Sequence, residues 1–331
     1  MEHTRTFGWC FIGSGSITRR VMRDLSRYSK TSYLATVYSP NPSHAKSLAD
    51  LYGAKACSTP EEAMMDSSVN GVYVATPHIH HQEYAQMALR LGRPVLCEKP
   101  MTPNARQTGE LIQTAKETGV YLAEAMWTRY NPVVRRVKEW VDAGRIGKLY
   151  CVEADFGYAA GYDPANGLFQ PEKAGGGILD VGIYPIALAQ LLYGDVMPEK
   201  IAAFGEKTPS GVDANCGMLL GYPSGGVATL FTAVRSQTPS LAKISGEEGV
   251  ILLDAPFWRS KGATLQRAGE QERFCIDQGD YEGYHFEFDG VVSEILAGER
   301  ESRVMALDHT RTVAAIMDEA RRQLGVSYPF D

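Results

Sequence analysis

The sequence predicts two domains: an N-terminal α/β domain with a doubly wound parallel sheet, and a C-terminal α+β domain with a large, mostly antiparallel, open-faced sheet. In residues 1–125, short apolar strands alternate with amphipathic helices, which is the βαβ pattern of a parallel sheet. In residues 126–331, strand candidates follow one another with few helices between them, as in an antiparallel sheet. The length of 331 residues also fits two domains of about 150 residues each.

Periodicity and end signals define the individual elements. In the first predicted helix, Ile17, Val21 and Leu25 recur every fourth residue and form one apolar face. Thr59 and Glu62 form a capping box around Pro60, which predicts a helix start. Strands are predicted at 7–12, 34–38, 71–75, 95–98, 120–123, 149–156, 201–204, 215–221, 226–234, 242–245 and 250–253. The main helices are predicted at 16–28, 43–52, 132–141, 178–192, 284–296 and 307–324.

Composition and charge argue against several classes of protein. The formal net charge is -6, with 33 basic and 39 acidic residues. The sequence has no run of basic residues that could bind along a phosphate backbone, so nucleic acid is not expected as a partner. No uninterrupted apolar run approaches the roughly 18 residues of a membrane span, and the N-terminus lacks the pattern of a signal peptide. The six cysteines are scattered without a CxxC pair. These features predict a cytoplasmic protein.

Residues 13–18 read GSGSIT and lie between the first strand and the first helix. In that position a glycine-rich turn predicts a Rossmann dinucleotide site. Gly13 allows the tight turn, and Gly15 lets a pyrophosphate approach the backbone at the helix N-terminus, next to Ser16 and Ile17. Thr18 stands where a smaller third residue is usual. The alternative is an ordinary strand-to-helix turn.

The end of the second strand predicts which dinucleotide binds. An acid there binds the ribose of NAD, whereas a basic residue nearby accommodates the phosphate of NADP. This sequence has Ser39, Pro40 and Asn41, and no acid that would repel a phosphate. Ser39 and Asn41, with Ser43 and Lys46 beyond them, are possible donors. The residues therefore favour NADP over NAD, and both cofactors stay open.

Three residue types that suit hydride transfer follow the nucleotide motif. Lys99 emerges after the strand that ends at Glu98, at the carboxyl edge where open α/β sheets bind ligands. The segment GGGILDVGIYP places Asp180 and Tyr184 four residues apart on a predicted helix. Oxidation of an alcohol needs a group that takes the hydroxyl proton, and a cationic lysine nearby lowers the pKa of a phenol. We therefore assign Tyr184 as acid/base, Lys99 as its electrostatic partner and Asp180 as the orienting carboxylate. On spacing alone, Asp180 and Tyr184 would more often be ordinary helix residues, and a lone Lys-Pro is usually a surface turn.

The EKP triplet at Glu98–Pro100 and the DxGxY segment at Asp180–Tyr184 resemble the Gfo/Idh/MocA family of oxidoreductases. Within that family, LCEKPMTPNA, AEAMWTRYNP, GGGILDVGIYP and GVSYPFD are most similar to the branch of dimeric dihydrodiol dehydrogenases and NADP-dependent D-xylose 1-dehydrogenases. The likeness extends from about residue 7 to the end.

The resemblance implies a role for several further residues. It makes Lys99 and Tyr184 the catalytic pair and places Trp127 and Phe156, with Tyr184, along the substrate. The residues that it implies for the cofactor are Thr76, Pro77, His78, His81, Glu98 and Lys99. Two departures, Tyr184 for a histidine and Ala187 for an aspartate, point away from inositol-type members. Pro40 stands where many NADP-using relatives have arginine, which leaves the choice of cofactor open.

The resulting expectation is an NAD(P)-dependent dehydrogenase that acts on the CH–OH group of a sugar, such as xylose or glucose, or of a related cyclic polyol. A trans-dihydrodiol dehydrogenase is the alternative within the enzyme class, and a non-catalytic NAD(P)-sensing regulator is the alternative outside it. His78, His80 and His81 lack an evident fourth ligand, so no metal is expected. The alternating apolar pattern of GVATLFTAV predicts an exposed sheet face that forms a homodimer.

Overall fold

The computed structural model describes residues 6–277 and 279–331, which divide into two compact units. The first unit comprises the described residues up to Tyr130 together with Asp280–Thr310. The second comprises the described residues of Asn131–Gly279 and of Arg311–Asp331. The boundary expected from the sequence, 1–125 and 126–331, differs in two respects. It assigns 126–130 and 280–310 to the second domain, whereas both segments belong to the first unit.

The secondary structure has the predicted order. The strands within the described residues are β1 (Phe7–Ile12), β2 (Ser32–Tyr38), β3 (Lys55–Ala56), β4 (Gly71–Val74), β5 (Val95–Glu98), β6 (Leu122–Ala125), β7 (Leu149–Gly157), β8 (Lys200–Lys207), β9 (Asp213–Gly221), β10 (Val227–Ala233), β11 (Ala242–Gly246), β12 (Gly249–Leu253), β13 (Gly262–Arg267) and β14 (Glu270–Cys275). The α-helices there are α1 (Ser16–Tyr28), α2 (Pro42–Tyr52), α3 (Pro60–Met65), α4 (His81–Arg90), α5 (Ala105–Thr118), α6 (Pro132–Asp142), α7 (Ile183–Leu192), α8 (Tyr284–Leu296) and α9 (Leu307–Leu324).

The first unit is built on a six-stranded parallel sheet with the order β3-β2-β1-β4-β5-β6. This confirms the predicted doubly wound sheet, and the strand order reverses direction at β1 and β4. The strands β1, β4, β5 and β6 are buried throughout, as expected for a parallel sheet covered on both faces. The turns that follow β1, β4 and β5 therefore lie side by side at the carboxyl edge.

Helix α8 completes the core of the first unit although it lies far along the chain. Phe288 of α8 is fully buried, and its ring packs against Trp9 at 5.1 Å, Tyr73 at 5.1 Å and Phe11 at 6.1 Å between centroids. Such aromatic clusters remove a large apolar area from water. This packing is the physical reason why the segment 280–310 belongs to the first unit.

The second unit is built on an eight-stranded sheet with the order β14-β13-β12-β11-β7-β10-β9-β8. Only β7 and β10 pair in parallel among these described strands, so the predicted mostly antiparallel sheet is confirmed. Strands β13 and β14 were not predicted from the sequence. The edge strand β14, the turn before it and the end of β13 carry the polar residues of QRAGEQER, so this hairpin lacks the apolar alternation by which a strand is recognised.

One face of this sheet carries exposed apolar side chains. Phe204 and Phe231 both lie opposite Gly217, and Leu219 lies two residues further along β9, so all three occupy the same face. Phe204 is 79% exposed and Leu219 is 50% exposed. Lys243 and Glu153 form an ion pair of 2.7 Å on the neighbouring strands. The sheet is therefore open on one side within this chain, as predicted.

One segment, Pro171–Leu192, is long and apolar enough to cross a membrane by length and composition. Charged and polar residues interrupt its sequence, so it contains no continuous apolar run of about 18 residues. In the structure, 89% of the most apolar window of this segment is buried inside the protein. That burial is what a core helix shows, and α7 lies in this segment.

We expect Phe288→Ala to lower the free energy of unfolding by about 3–5 kcal/mol, because it opens a cavity among three aromatic rings. Leu296→Ala is the matched control, since Leu296 lies on the same helix but is 73% exposed, and a change within about 0.5 kcal/mol is expected. Urea unfolding followed by circular dichroism measures both values. Equal effects of the two substitutions would contradict the packing of α8 in the first unit.

Candidate active site

The turn after β1 has the geometry of a dinucleotide-binding loop. Gly13 adopts a φ of +113°, and a Cβ on Gly13 would lie 2.3 Å from the carbonyl oxygen of Ala75. Only glycine is compatible with both conditions. The Gly13 N–H donates to the Tyr38 carbonyl at 2.9 Å, and the Thr18 hydroxyl donates to the Gly13 carbonyl at 3.3 Å. Thr18 thus braces the turn in the position where the motif usually has a smaller residue.

The N-terminus of α1 offers backbone donors to a phosphate. Gly15 is the N-cap of α1 and makes no side-chain capping hydrogen bond, so the first N–H groups have no cap from that residue. A Cβ on Gly15 would meet nothing within 4 Å, and Gly15 and Ser16 are exposed while Ile17 is half-buried. The space and the helix dipole both suit an anion.

The loop after β4 adds a polar group at the same edge. The hydroxyl of Thr76 is buried and has no hydrogen-bond partner among the described residues. Buried polar atoms are normally paired, so an unpartnered hydroxyl here fits a ligand group that supplies the missing partner. Together with the open turn after β1, it indicates that these residues fit a bound dinucleotide. Pro77 is exposed and His78 is half-buried in this loop.

Several side chains after β2 already have hydrogen-bond or ion-pair partners within the protein, which their sequence did not predict. Asn41 caps α2, because its side-chain oxygen accepts from the Ser43 N–H at 3.1 Å and from the Ser43 hydroxyl at 2.7 Å. Lys46 forms an ion pair with Asp50 at 3.0 Å. Ser39 is buried and accepts from the Asn41 N–H at 3.4 Å. No acidic residue occupies 39–41, in agreement with the absence of a group that would repel a ribose phosphate.

The predicted cofactor residues His81 and Glu98 are buried and have partners inside the protein. The ring nitrogens of His81 lie 3.0 Å and 2.8 Å from the carbonyl oxygens of Pro100 and Thr76. Burial lowers the pKa of His81 to about 4, so the neutral ring donates to only one of them. Glu98 accepts from the hydroxyl of Tyr73 at 2.5 Å and from the Lys99 N–H at 3.1 Å. Lys99 itself is half-buried and follows β5 directly.

Trp127, which the resemblance implies for the substrate, lies in a short 3₁₀ helix after β6. Its side chain is buried and packs against Tyr284 of α8, with ring centroids 4.4 Å apart. Tyr284 comes directly after Gly283, which adopts a φ of +109°. The ring of Trp127 is therefore held by the segment 280–310 of the same unit.

In the second unit, the predicted helix 178–192 begins as a π-helix at Ile178–Gly182 and continues as α7. Asp180 thus lies in a wider turn than the expected α-helix, and π-turns recur at functional sites. The hydroxyl of Tyr158 donates to the Asp180 carboxylate at 2.6 Å. Burial and the neighbouring Asp180 raise the pKa of Tyr158, so Tyr158 stays a donor and orients Asp180.

Tyr184 lies beside an aromatic wall. It is only 7% exposed, and its ring centroid is 5.4 Å from that of Phe156 and 6.3 Å from that of Trp258. Phe156 and Trp258 stack face to face, with centroids 3.4 Å apart and an interplanar angle of 3°. The phenol of Tyr184 is therefore next to a flat apolar surface made by two half-buried rings.

The glycine run before the π-helix is set by crowding against its neighbours. A Cβ on Gly176 would lie 2.2 Å from Oδ1 of Asp213, and one on Gly175 would lie 2.5 Å from the Leu168 carbonyl oxygen. Oδ2 of Asp213 accepts from the Ile178 N–H at 2.7 Å. Burial raises the pKa of Asp213 to about 6. Asp213 thus caps the segment that carries Asp180 and Tyr184.

Sequence reasoning missed Trp258, Tyr158 and Asp213. Trp258 stacks on a residue about a hundred positions earlier in the chain, and Asp213 binds a helix start 35 residues before it. Neither pairing leaves a local pattern. Tyr158 comes directly after β7 and 22 residues before Asp180, and nothing in that spacing points to a contact between them. Among residues 6–277 and 279–331, no group of three or more His, Cys, Asp or Glu residues is arranged to hold a metal ion.

A six-stranded parallel sheet with a dinucleotide-accepting edge and a second, mixed sheet are the architecture of a two-domain dinucleotide-binding protein. The chain belongs to the Gfo/Idh/MocA oxidoreductase family. The family sequence model described as the oxidoreductase family with an NAD-binding Rossmann fold matches residues 7–126. The family sequence model of the GFO/IDH/MocA C-terminal domain matches residues 134–252. The resemblance seen in the sequence motifs is thereby confirmed, and the chain has an NAD-binding domain.

Curated relatives match over most of their length. The trans-1,2-dihydrobenzene-1,2-diol dehydrogenase of Mus musculus is 30% identical over 332 residues, with 98% of each chain covered. The enzyme of the same name from Xenopus tropicalis is 32% identical over 282 residues, covering 83% of this chain and 84% of that one.

Solved structures show the same fold at lower identity. An aldose-aldose oxidoreductase from Caulobacter crescentus, complexed with glycerol, has a TM-score of 0.87 at 24% identity and covers 96% of this chain and 97% of its own. A 3-ketoreductase from Actinomadura kijaniata, complexed with NADP and TDP-benzene, has a TM-score of 0.82 at 23% identity, with 97% and 98% covered.

We expect Gly15→Ala to weaken the binding of NADP by about tenfold or more, because the added methyl group fills the space where a pyrophosphate would approach. The fold should be unaffected, since a Cβ at Gly15 meets no protein atom within 4 Å. Gly109→Ala is the control: its Cβ also meets nothing within 4 Å, but Gly109 lies within α5. Calorimetric titration of NADP into each variant measures the effect. Unchanged affinity in Gly15→Ala would mean that the dinucleotide does not use this turn.

Proposed function

We propose that this chain transfers a hydride between NADP and a CH–OH group of a pyranose sugar or related cyclic polyol. The observation that carries the proposal is Tyr184, a phenol packed beside the stacked rings of Phe156 and Trp258. A flat apolar surface suits the face of a six-membered ring, and a hydroxyl next to it suits proton transfer to the ring substituents. The NAD-binding domain and the family membership support the redox chemistry.

In this proposal the Lys99 ammonium stabilises the phenolate form of Tyr184, and this phenolate takes the proton of the substrate hydroxyl and becomes the neutral phenol. A bound oxidised nicotinamide would supply the acceptor for the hydride of the carbon that bears this hydroxyl, and that carbon would become a carbonyl. Asp180, held by Tyr158 at 2.6 Å, orients the reacting group. Phe156, Trp127 and Trp258 bind the ring through apolar contact. Gly13, Gly15, Ser16, Ile17 and the Thr76–His78 loop hold the cofactor.

We infer NADP rather than NAD as the preferred cofactor. No acid stands at the end of β2, where it would repel a 2′-phosphate. The Asn41 and Lys46 side chains are already engaged by Ser43 and Asp50, so Ser39 and backbone groups are the donors nearest to the strand end. A ratio of kcat/KM for NADP to that for NAD above about tenfold is the expectation.

A second candidate substrate is a trans-dihydrodiol of an aromatic ring. Relatives of this name match 98% of the chain, and a stacked aromatic wall suits a planar ring as well as a sugar. Xylose and a benzene dihydrodiol, compared as substrates at the same cofactor concentration, separate the two. The larger kcat/KM identifies the substrate class.

We expect Lys99→Ala and Tyr184→Phe each to lower kcat/KM by about 10² or more, which is the contribution of a positioned proton-transfer group. The double variant should lose little more than the worse single variant, because both groups act on one proton. Turnover with a panel of aldoses, inositols and cyclic diols measures this. Lys116→Ala and Tyr150→Phe are matched controls at exposed positions.

Additive losses in the double variant would contradict the shared role of Lys99 and Tyr184. A wild-type protein that binds NADP but turns over no member of the panel would contradict the enzyme itself and would favour the cofactor-sensing regulator.

We further propose that the exposed face of the second-unit sheet forms a homodimer. Phe204, Leu219 and Phe231 create an apolar patch on this face, and patches of this kind mark association sites. The self-complementary use of one sheet face is typical of twofold dimers.

We expect Leu219→Asp to convert a dimer into a monomer of 36.3 kDa, because a charge is then buried at the interface. Leu51→Asp is the control, since Leu51 is 66% exposed but lies on α2. Light scattering at micromolar concentration measures the mass. A monomeric wild-type protein, or a dimer that survives in Leu219→Asp, would contradict this interface.

We propose that the protein is located in the cytoplasm. All six cysteines are free in the structure, which is the usual state in a reducing environment.

A further inference from the structure

The turn that carries Lys99 is held at three successive backbone groups by ionisable side chains. The Lys99 N–H donates to Oε2 of Glu98 at 3.1 Å, the Pro100 carbonyl lies 3.0 Å from Nδ1 of His81, and the Met101 N–H donates to Oε1 of Glu124 at 2.8 Å. The three side chains come from β5, α4 and β6, and all belong to the first unit. We call Glu98, His81 and Glu124 the turn clamp.

The clamp is buried and is braced from behind. Glu98, His81 and Glu124 are 5%, 1% and 2% exposed. Tyr73 of β4 donates its hydroxyl to the second oxygen of Glu98 at 2.5 Å, and Nε2 of His81 lies 2.8 Å from the Thr76 carbonyl. A buried turn has no neighbouring strand to pair its backbone groups, so side chains must do so. Polar side chains locked in this way fix the direction of the backbone.

This arrangement is costly for stability. Glu287 of α8 is 1% exposed and one of its oxygens has no partner among the described residues. Burial and the proximity of Glu98 and Glu124 raise the pKa of Glu287, and burial raises the pKa of Glu124 to about 7. Apolar residues of similar volume are usually at least as stable as buried charged groups. Three buried carboxyl groups around one turn therefore point to a role other than stability.

We propose that Glu98, His81 and Glu124 are positioning residues that set the backbone of Lys99–Met101 and thereby the direction in which the Lys99 ammonium leaves the sheet edge. They act through their hydrogen bonds to the backbone, and this role requires no contact with the substrate. The proposal rests on the proposed function, in which Lys99 serves the proton transfer. A displacement of about 1 Å at a reacting group lowers the rate by about 10²-fold, so a misplaced turn would be visible in kcat.

The test compares Glu124→Leu with Glu124→Gln in the full-length protein. Leucine fills a similar volume but accepts no hydrogen bond, whereas the glutamine amide oxygen still accepts from the Met101 N–H. We expect Glu124→Leu to lower kcat by about 10²-fold, with the KM and the affinity for NADP changed by less than about threefold, within the effect of one hydrogen bond. Glu124→Gln should restore most of the rate. Glu117→Leu, at an exposed glutamate of α5, is the control.

A second readout does not depend on turnover. An amine-reactive reagent acetylates Lys99 at a rate that depends on the surroundings of its ammonium group. Mass spectrometry measures this rate relative to that of the exposed Lys116 in the same sample. We expect this ratio to change in Glu124→Leu and to match the wild type in Glu124→Gln. If the wild type turns over no substrate, the proposed function fails while the labelling ratio still tests the clamp.

Tyr73→Phe removes the brace on Glu98 without altering the clamp itself, and it serves if Glu124→Leu does not fold. It should shift the labelling ratio and lower kcat in the same direction. An unchanged kcat and labelling ratio in a folded Glu124→Leu variant would overturn the proposal. Equal losses in the Leu and Gln variants would overturn it as well, because the charge and not the hydrogen bond would then matter.

Discussion

The shared carboxyl edge of β1, β4 and β5 is the constraint on which the candidate site depends. These strands are adjacent in the sheet order β3-β2-β1-β4-β5-β6, so their turns must fit against one another. The backbone of Gly13 packs so closely on Ala75 that a Cβ would lie 2.3 Å from its carbonyl oxygen. The loop after β4 is in turn tied to the turn after β5, because His81 lies against both the Thr76 and Pro100 carbonyls. A change in one turn is therefore transmitted to the others by direct contact.

In the second unit, close packing and buried hydrogen bonds likewise hold the segment that carries the site residues. Its site residues follow a glycine run that is crowded by Asp213 and the Leu168 carbonyl, and Asp213 caps the π-helix that carries Asp180. The hydroxyl of Tyr328 donates to the Gly175 carbonyl at 2.7 Å, so the GVSYPFD segment also supports this run. In both units, buried polar side chains form hydrogen bonds with backbone groups of irregular segments. In a regular strand or helix, other backbone groups would be the partners.

Local signals account for what the sequence could predict. The βαβ alternation, the glycine turn between β1 and α1 and the capped start of α3 at Thr59 follow from periodicity and caps within a few residues. The pairing of Phe156 with Trp258 and of Asp213 with Ile178 depends on chain segments that meet only in the folded sheet. The return of Phe288 to the first core was missed for the same reason. The buried partners of His81 and Glu98 were also unforeseen, because a motif shows which residues recur and not where their side chains point.

The most direct test of the central claim is the fate of the hydrogen on the oxidised carbon. A ring substrate from the active part of the panel, deuterated at that carbon, is incubated with the protein and NADP, and the reduced cofactor is analysed by mass spectrometry. The account predicts that the reduced cofactor gains the deuterium, because the hydride passes directly from the CH–OH carbon to the nicotinamide. Reduced cofactor without deuterium, or bound NADP that no ring substrate reduces, would contradict it.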